Sequence, residues 1–402
     1  MAALSWSDLP PELLGLVLKC LPSLADRVRL RAVCHPWRSN AQQQSLPPLL
    51  PWLTLPDGAI LSIPGGEIIR MPVHKGAHCC GSVDNWLFLV QTDGGCSLVN
   101  PFSGATVELP NLATVWNHDP SNATSGLNRI LYKTVVLSPL DSSPDSLVAV
   151  LILGGGHCST VCLWQPPIAT DVPIARARWP LQVFDDVAFF NGKLHGLAPF
   201  NKLFVFDIDS ELSDSPKISS IKCIISYSVG LPQSVSRTKV HIKKEYLVEC
   251  CGRLLRVRRF LQSDRPGQAG RYLKHQRTVA FDVFEAGLST NTHCWRKVNN
   301  LGGQVLFVGP HCSKSFPAVE YNRVQRDCIY FMCDYYPTLD PLRDSGVYDM
   351  RTGMITPLLS ETVAVPQRHG GKWCPTWIFP ADSTQLPLLS AFRLCSACLS
   401  VS

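Results

Sequence analysis

Apolar residues follow two regimes along the 402-residue chain. Over residues 13–21 they keep a helical spacing, and from about residue 52 they come in short blocks broken by Gly, Asn, Asp and Pro. The stretch "DLPPELLGLVLKCL", residues 8–21, predicts a helix. Asp8 suits a cap, Pro10 and Pro11 suit the first turn, and Glu12 favours the positive end of the helix dipole. Leu13, Leu14, Leu16, Val17, Leu18 and Leu21 then cover an arc of roughly 200°, about twice the stripe that a surface helix buries. Such a helix has two faces to cover. Pro22 ends it, and Ser23 with Asp26 resembles a capping box for a second helix, "LADRVRLRAVC", with Leu24, Val28 and Val33 inward and its arginines outward. Pro36 breaks the chain before a short third helix, "WRSNAQQQ", which carries Trp37.

The polar and proline-rich run "QQQSLPPLLPWLTLPDG" marks a boundary. Beyond it a turn followed by an apolar strand recurs: "DNWLFLV" (84–90), "PDSLVAV" (144–150), "NGKLHGL" (191–197), "CGRLLRV" (251–257) and "RDCIYFM" (326–332). A second unit repeats in "VNPFSGATVEL" (99–109) and "YDMRTGMITPL" (348–358), with Asn or Asp, then Ser/Thr-Gly, then Leu at matching offsets. These units predict small sheets in an irregular repeat, a β-propeller by first choice and a large β-sandwich as runner-up. The expected organisation is a small all-α unit over 1–45, a linker over 46–58, an all-β domain over 59–385 and a tail over 386–402. The uncharged stretch "SLVAVLILGGGHCSTVCLWQPP" (146–167) has too short an apolar core to span a bilayer, and predicts strand, glycine turn and strand.

Composition narrows the class. With 46% hydrophobic and 17% charged residues the chain is globular. The N-terminus shows no basic segment or cleavage pattern, so the 17 cysteines are expected as reduced thiols in the cytoplasm or nucleus. Cys34 and His35 sit side by side, and adjacent residues on a helix point ~100° apart, which does not make a nucleophile with its base. Cys395 and Cys398 lack a second pair at metal-binding spacing, and the glycine runs 154–156 and 370–371 do not fit a phosphate loop. No nucleophile-elbow or helical zinc-protease pattern is present. The expectation is a non-catalytic protein with no cofactor and no metal. Charge is uneven: the segment 237–277 holds twelve Lys/Arg against three Asp/Glu, a net of +9 in a chain of +6. The partial alternation in "RLLRVRR" predicts a solvent face for Arg256 and Arg258. Arg256, Arg258, Arg259, Arg271 and Lys274 are therefore candidates for binding an acidic target segment, or alternatively nucleic acid or chromatin. The plain reading is a solvated edge and loop.

Two resemblances sharpen this. "DLPPELLGLVLKCLPSLADRVRLRAVCHPWRS" resembles an F-box, with its Leu-Pro start, leucine-rich first helix and Val-Cys-x-x-Trp-Arg close. Pro36 is a mild departure from that pattern. The likeness implies docking to a Skp-type adaptor and through it to a cullin. By it, Leu9, Pro10, Leu13, Leu14, Val17, Leu18, Leu21, Val33, Cys34 and Trp37 are divided between the module's core and its adaptor face. Residues 47–380 resemble the C-terminal, propeller-like domain of a large plant family of F-box proteins, in "LVNPFSGATVELP", "EYLVECCGRLLRVRR", "CWRKVNNLGGQVLFVG", "SGVYDMRTG" and "PTWIFP". The implied function is the substrate-receiving subunit of a Skp–cullin–F-box ubiquitin ligase. It would hold a target protein near a ubiquitin-conjugating enzyme and catalyse nothing itself.

Overall fold

The computed structural model describes residues 6, 9–21, 24–44, 50–63, 66–70, 77–112, 130–154, 158–166, 175–177, 183–209, 216–226, 241–263, 276–288, 293–318, 324–334, 340–359 and 373–380. Three helices come first: α1 (Pro11–Lys19), α2 (Leu24–Arg31) and α3 (His35–Gln42). Extended Pro10 occupies the cap of α1, with Pro11 as its first helical residue and no side chain bonded to the end. Asp8 and Ser23, the expected caps, lie outside the described residues, as do the side chains of Leu24 and Val28. Leu14, Leu18, Leu30 and Ala41 form the small core, with Leu9, Leu21 and Trp37 packed against it. Two expectations fail here. Arg27 is buried rather than outward, its Nε donating to the Leu21 carbonyl at 2.9 Å. Val33 is 61% exposed, because α2 stops at Arg31 and the helical phase that would turn Val33 inward ends with it.

The remainder is a six-bladed β-propeller, which replaces the sandwich alternative. Blades two to five are consecutive antiparallel meanders, whose innermost strands are His78–Val83, Leu131–Val136, Asp186–Phe190 and His241–Cys250. Blade six is irregular. Its strand Gln304–Val308 pairs antiparallel with the inner strand Lys314–Pro317 and parallel with Cys328–Phe331. Blade one takes its inner strand, Trp377–Ile378, from the far end of the chain and pairs it with Trp52–Thr54. Residues 52–54 thus belong to the sheet, although they fall inside the stretch expected as a linker.

Local chemistry explains the repeating units. Asn191-Gly192 and Cys251-Gly252 both turn with positive φ, at 48° and 75° and at 49° and 71°, joining the first two strands of their blades. In the second repeated unit, Asn100 Oδ1 accepts from the Phe102 and Ser103 amides while the Gly104 amide bonds the Asn100 carbonyl. Asp349 and Gly353 repeat this arrangement in blade six. Gly104 and Gly353 sit at φ 75° and 72°, which favours glycine. The apolar stretch near residue 150 forms the antiparallel strands Val148–Gly154 and Cys158–Trp164, with Val148 to Ile152 buried on both faces between blades. No helix among the described residues is long and apolar enough to cross a membrane.

Ring closure should govern stability. Trp377 is fully buried, donates Nε1–H to the Val308 carbonyl at 2.9 Å and meets Phe307 edge-on at 5.1 Å. Trp377→Ala is expected to lose about 3–5 kcal/mol of unfolding free energy, measured by urea titration of the full chain. A midpoint equal to wild type would show the closing strand to be dispensable.

Candidate functional site

The first candidate is a helix face. Leu13, Leu16 and Val17 are 48%, 53% and 44% exposed, and their spacing makes them one contiguous apolar stripe on α1. The ten residues singled out from the F-box likeness therefore separate. Leu14 and Leu18 are core, while Leu9, Leu21 and Trp37 are partly buried against it. Leu13, Val17 and Val33 are open to solvent, as is Pro10. Leu16 joins this exposed stripe without being among those ten, and its position three residues after Leu13 is the signal for it. Cys34 is half-buried and extended at the cap of α3, and Trp37 donates Nε1–H to the Trp6 carbonyl at 2.8 Å.

The basic strand differs from its expectation. Arg256 and Arg259 are 0% exposed and Arg258 is buried, so these three form no basic surface. Arg271 and Lys274 lie outside the described residues. The alternating pattern placed the arginines on opposite faces of the strand, but both faces are packed, within the blade and against its neighbours. Arg259 spans blades five and six. Its NH2 reaches Asp344 Oδ2 at 2.8 Å, its NH1 the Met332 carbonyl at 2.8 Å and Asp334 Oδ1 at 3.1 Å, and its Nε the Thr278 hydroxyl at 2.8 Å. Burial opposes its charge, yet Tyr246, Asp334 and Asp344 outweigh that and raise its pKa. Asp334 is the counterpart. Burial pushes its carboxyl up, but Lys244, Arg259 and the Tyr246 hydroxyl hold it below the ordinary carboxylate range. Arg256 has no hydrogen-bond partner on any guanidinium nitrogen. It lies 4.6 Å from the Phe284 ring centroid and 5.0 Å from that of Trp295, with Glu245 4.0 Å away. Burial lowers its pKa to about 10.

The second candidate is the propeller axis. The N-terminal ends of the inner strands open onto a cavity of about 340 Å³, which includes Leu131, Asp185, Asp186, Glu245 and Asp334. Their C-terminal ends line another of about 150 Å³, which includes Asp84, Val136, Glu249 and Lys314. Between the two, Lys133 donates to Asp186 at 2.6 Å, and Asp186 also accepts from the Leu247 and Val187 amides at 2.7 Å. Burial pushes the Asp186 carboxyl up, and Lys133 with those amides opposes it. At the larger mouth Phe200 is 77% exposed, with φ 64°. Arg258 NH2 and Trp295 Nε1 clamp the next residue, Asn201, at 2.7 Å each, and Arg258 Nε also holds Glu245 at 2.8 Å. The buried arginine thus fixes the rim that presents Phe200. No group of three or more His, Cys, Asp or Glu that could hold a metal occurs among the described residues.

Comparison with known proteins agrees with both units. A family model for the KIB1-4 beta-propeller matches residues 57–349, and an F-box-like model matches residues 6–46. The chain belongs to the KIB1-4 β-propeller family. Among its relatives is F-box protein SKIP23 of Arabidopsis thaliana, 24% identical over 399 residues, covering 87% of this chain and 90% of that protein. Another is Arabidopsis F-box protein At2g17036, 23% identical, covering 87% and 89%. A solved structure of a Synechocystis apocarotenoid oxygenase mutant aligns at 10% identity over 67% of this chain and 57% of that one, with a TM-score of 0.29, which carries no argument about function.

Two of the buried arginines of this KIB1-4 propeller predict opposite mutational outcomes. Arg259→Met removes the guanidinium that bridges the Asp344 and Asp334 carboxylates and should cost about 3–5 kcal/mol, whereas Arg256→Met removes a buried charge that makes no hydrogen bond and has its nearest acid, Glu245, at 4.0 Å, and should be neutral or stabilising. Denaturant midpoints of the two variants beside wild type check this. Equal losses for both would refute the distinction.

Proposed function

We propose that this protein is the substrate-receiving subunit of a Skp–cullin–F-box ubiquitin ligase. In this reading α1 docks a Skp-type adaptor, the adaptor links it to a cullin, and the β-propeller holds a target protein. The observation that carries it is the Leu13, Leu16 and Val17 stripe, left exposed on a module of about 40 residues that has little core of its own. The adaptor would cover that stripe, with Pro10 and Val33 at its margins, while Leu14 and Leu18 keep the module folded. Catalysis is assigned to the conjugating enzyme, and this chain contributes proximity. Buried free thiols at Cys79, Cys96 and Cys250 fill apolar space and suit a reducing compartment, so we place the assembly in the cytoplasm or nucleus. The nucleic-acid alternative drew on an exposed arginine strand, and the burial of Arg256, Arg258 and Arg259 removes that support.

Co-purification of the full chain with a Skp-type adaptor tests the assignment. Each Leu or Val covered on binding is worth about 1.5–3 kcal/mol, so Leu13→Ala, Leu16→Ala and Val17→Ala together should lower affinity by two orders of magnitude or more. The melting temperature should change little, because all three side chains are exposed in the free chain. Equal adaptor recovery by wild type and the triple variant would defeat the reading.

A further inference from the structure

We propose that Cys80 and Cys374 are a thiol pair that closes to a disulfide under oxidant and staples the propeller ring shut. Such a latch belongs to the β domain alone and stands apart from the receptor reading above. The backbone sets the two cysteines abreast. Cys374 lies three residues before the closing strand Trp377–Ile378, and its amide donates to the carbonyl of Cys79 at 2.8 Å. That bond anchors Cys374 beside the residue that follows, Cys80. Cys80 is the extra residue of a β-bulge in the inner strand of blade two, where the register passes from Cys79–Leu89 to Gly81–Phe88. A bulge re-aims its side chain out of the regular alternation. Here the Cys80 thiol meets that of Cys374 in a side-chain hydrogen bond. Its neighbour Cys79 is engaged elsewhere, with Sγ donating to the Gly81 carbonyl at 3.3 Å.

The two thiols differ in access, which orders the chemistry. Cys374 is buried, whereas Cys80 is half-buried, so an oxidant such as hydrogen peroxide reaches Cys80 first. The Cys80 thiolate attacks one peroxide oxygen, giving a sulfenic acid and releasing one water. The Cys374 thiol then attacks the Cys80 sulfur, the S–S bond forms and the hydroxyl leaves as a second water. Two electrons thus pass from the sulfurs to the peroxide. Thiols already in contact need none of the backbone movement that separated cysteines require. The hydrogen bond to Cys374 and burial hold the Cys80 thiol well above its ordinary pKa, so thiolate is scarce and the first step is slow. A reducing compartment therefore keeps the latch open, and sustained oxidant closes it. The position suits a staple. Ring closure uses a strand of only two residues, and a bond from residue 80 to residue 374 closes most of the domain into one loop. Long loops are the case in which a cross-link restricts the unfolded chain most.

Peptide mapping of the full chain after treatment with hydrogen peroxide tests the latch. Protein that is oxidised, blocked with N-ethylmaleimide and digested without reduction should yield a peptide pair joined through Cys80 and Cys374, which dithiothreitol separates. Cross-linking should run faster at pH 8.5 than at pH 7, because the thiolate is the attacking species. The oxidised monomer should melt about 5 °C or more above the reduced one. Cys80→Ser and Cys374→Ser should each lose both the cross-link and that rise, while Cys79→Ser keeps them. The map on wild type needs no variant, so a serine variant that fails to fold leaves the test intact. Sulfinic or sulfonic acid at Cys80 without a cross-link, a bridge made by Cys79 instead, or a bridged chain that melts with the reduced one would overturn the proposal.

Discussion

Everything on the axis depends on how the ring closes. A propeller is a row of sheets bent until the last meets the first, and an open row would leave the strand edges of blade one unpaired. Here closure is made by a two-residue strand, Trp377–Ile378, too short to hold by backbone bonds alone. A buried polar clasp supplements it. Thr54 Oγ1 accepts from the Thr376 amide at 2.8 Å, and the Ser82 hydroxyl meets that of Thr376 at 2.7 Å. Backbone amides of Cys374 and Phe379 bond Cys79 and Asp84 in blade two at 2.8 Å. Two blades are thus tied through residues more than 290 positions apart in sequence, and Trp377 carries the tie into blade six through the Val308 carbonyl. The inner strands, and with them both axial cavities, are placed by this closure.

The parts of the fold that were legible in sequence are those fixed by local rules. Asn191-Gly192 and Cys251-Gly252 announced their hairpins because few dipeptides tolerate two successive positive φ values. The Asn100 and Asp349 units announced themselves because a side-chain oxygen and a glycine at fixed offsets make the same turn twice. The paired faces of α1 were visible as an over-wide apolar arc, and the structure divides that arc into Leu14 and Leu18 within and Leu13, Leu16 and Val17 without.

What was not legible depended on partners distant in the chain. Alternation along residues 253–259 shows which arginines share a face, but not that each face is already occupied. The carboxylates that match Arg259 lie 75 and 85 residues onward, in blade six. Nor does any local pattern announce that Lys314–Pro317 moves inside Gln304–Val308, which leaves a parallel pair in an otherwise antiparallel domain. The alternation therefore misled for Arg256, Arg258 and Arg259 as a surface signal. Arg256, Arg258 and Arg259 are internal, with Glu245 of the same blade beside the first two and Asp334 and Asp344 of blade six matching the third.

That matching has a consequence for the surface. Arginines consumed by Glu245, Asp334 and Asp344 fix the walls between blades, so these acids act as structural counter-ions. The inner strands of blades two to four have five or six residues, a length of roughly 20 Å at ~3.3 Å per residue. This is the depth between the two axial cavities. The clasp and the Lys133–Asp186 pair hold these inner strands in place, and with them the thickness of the propeller.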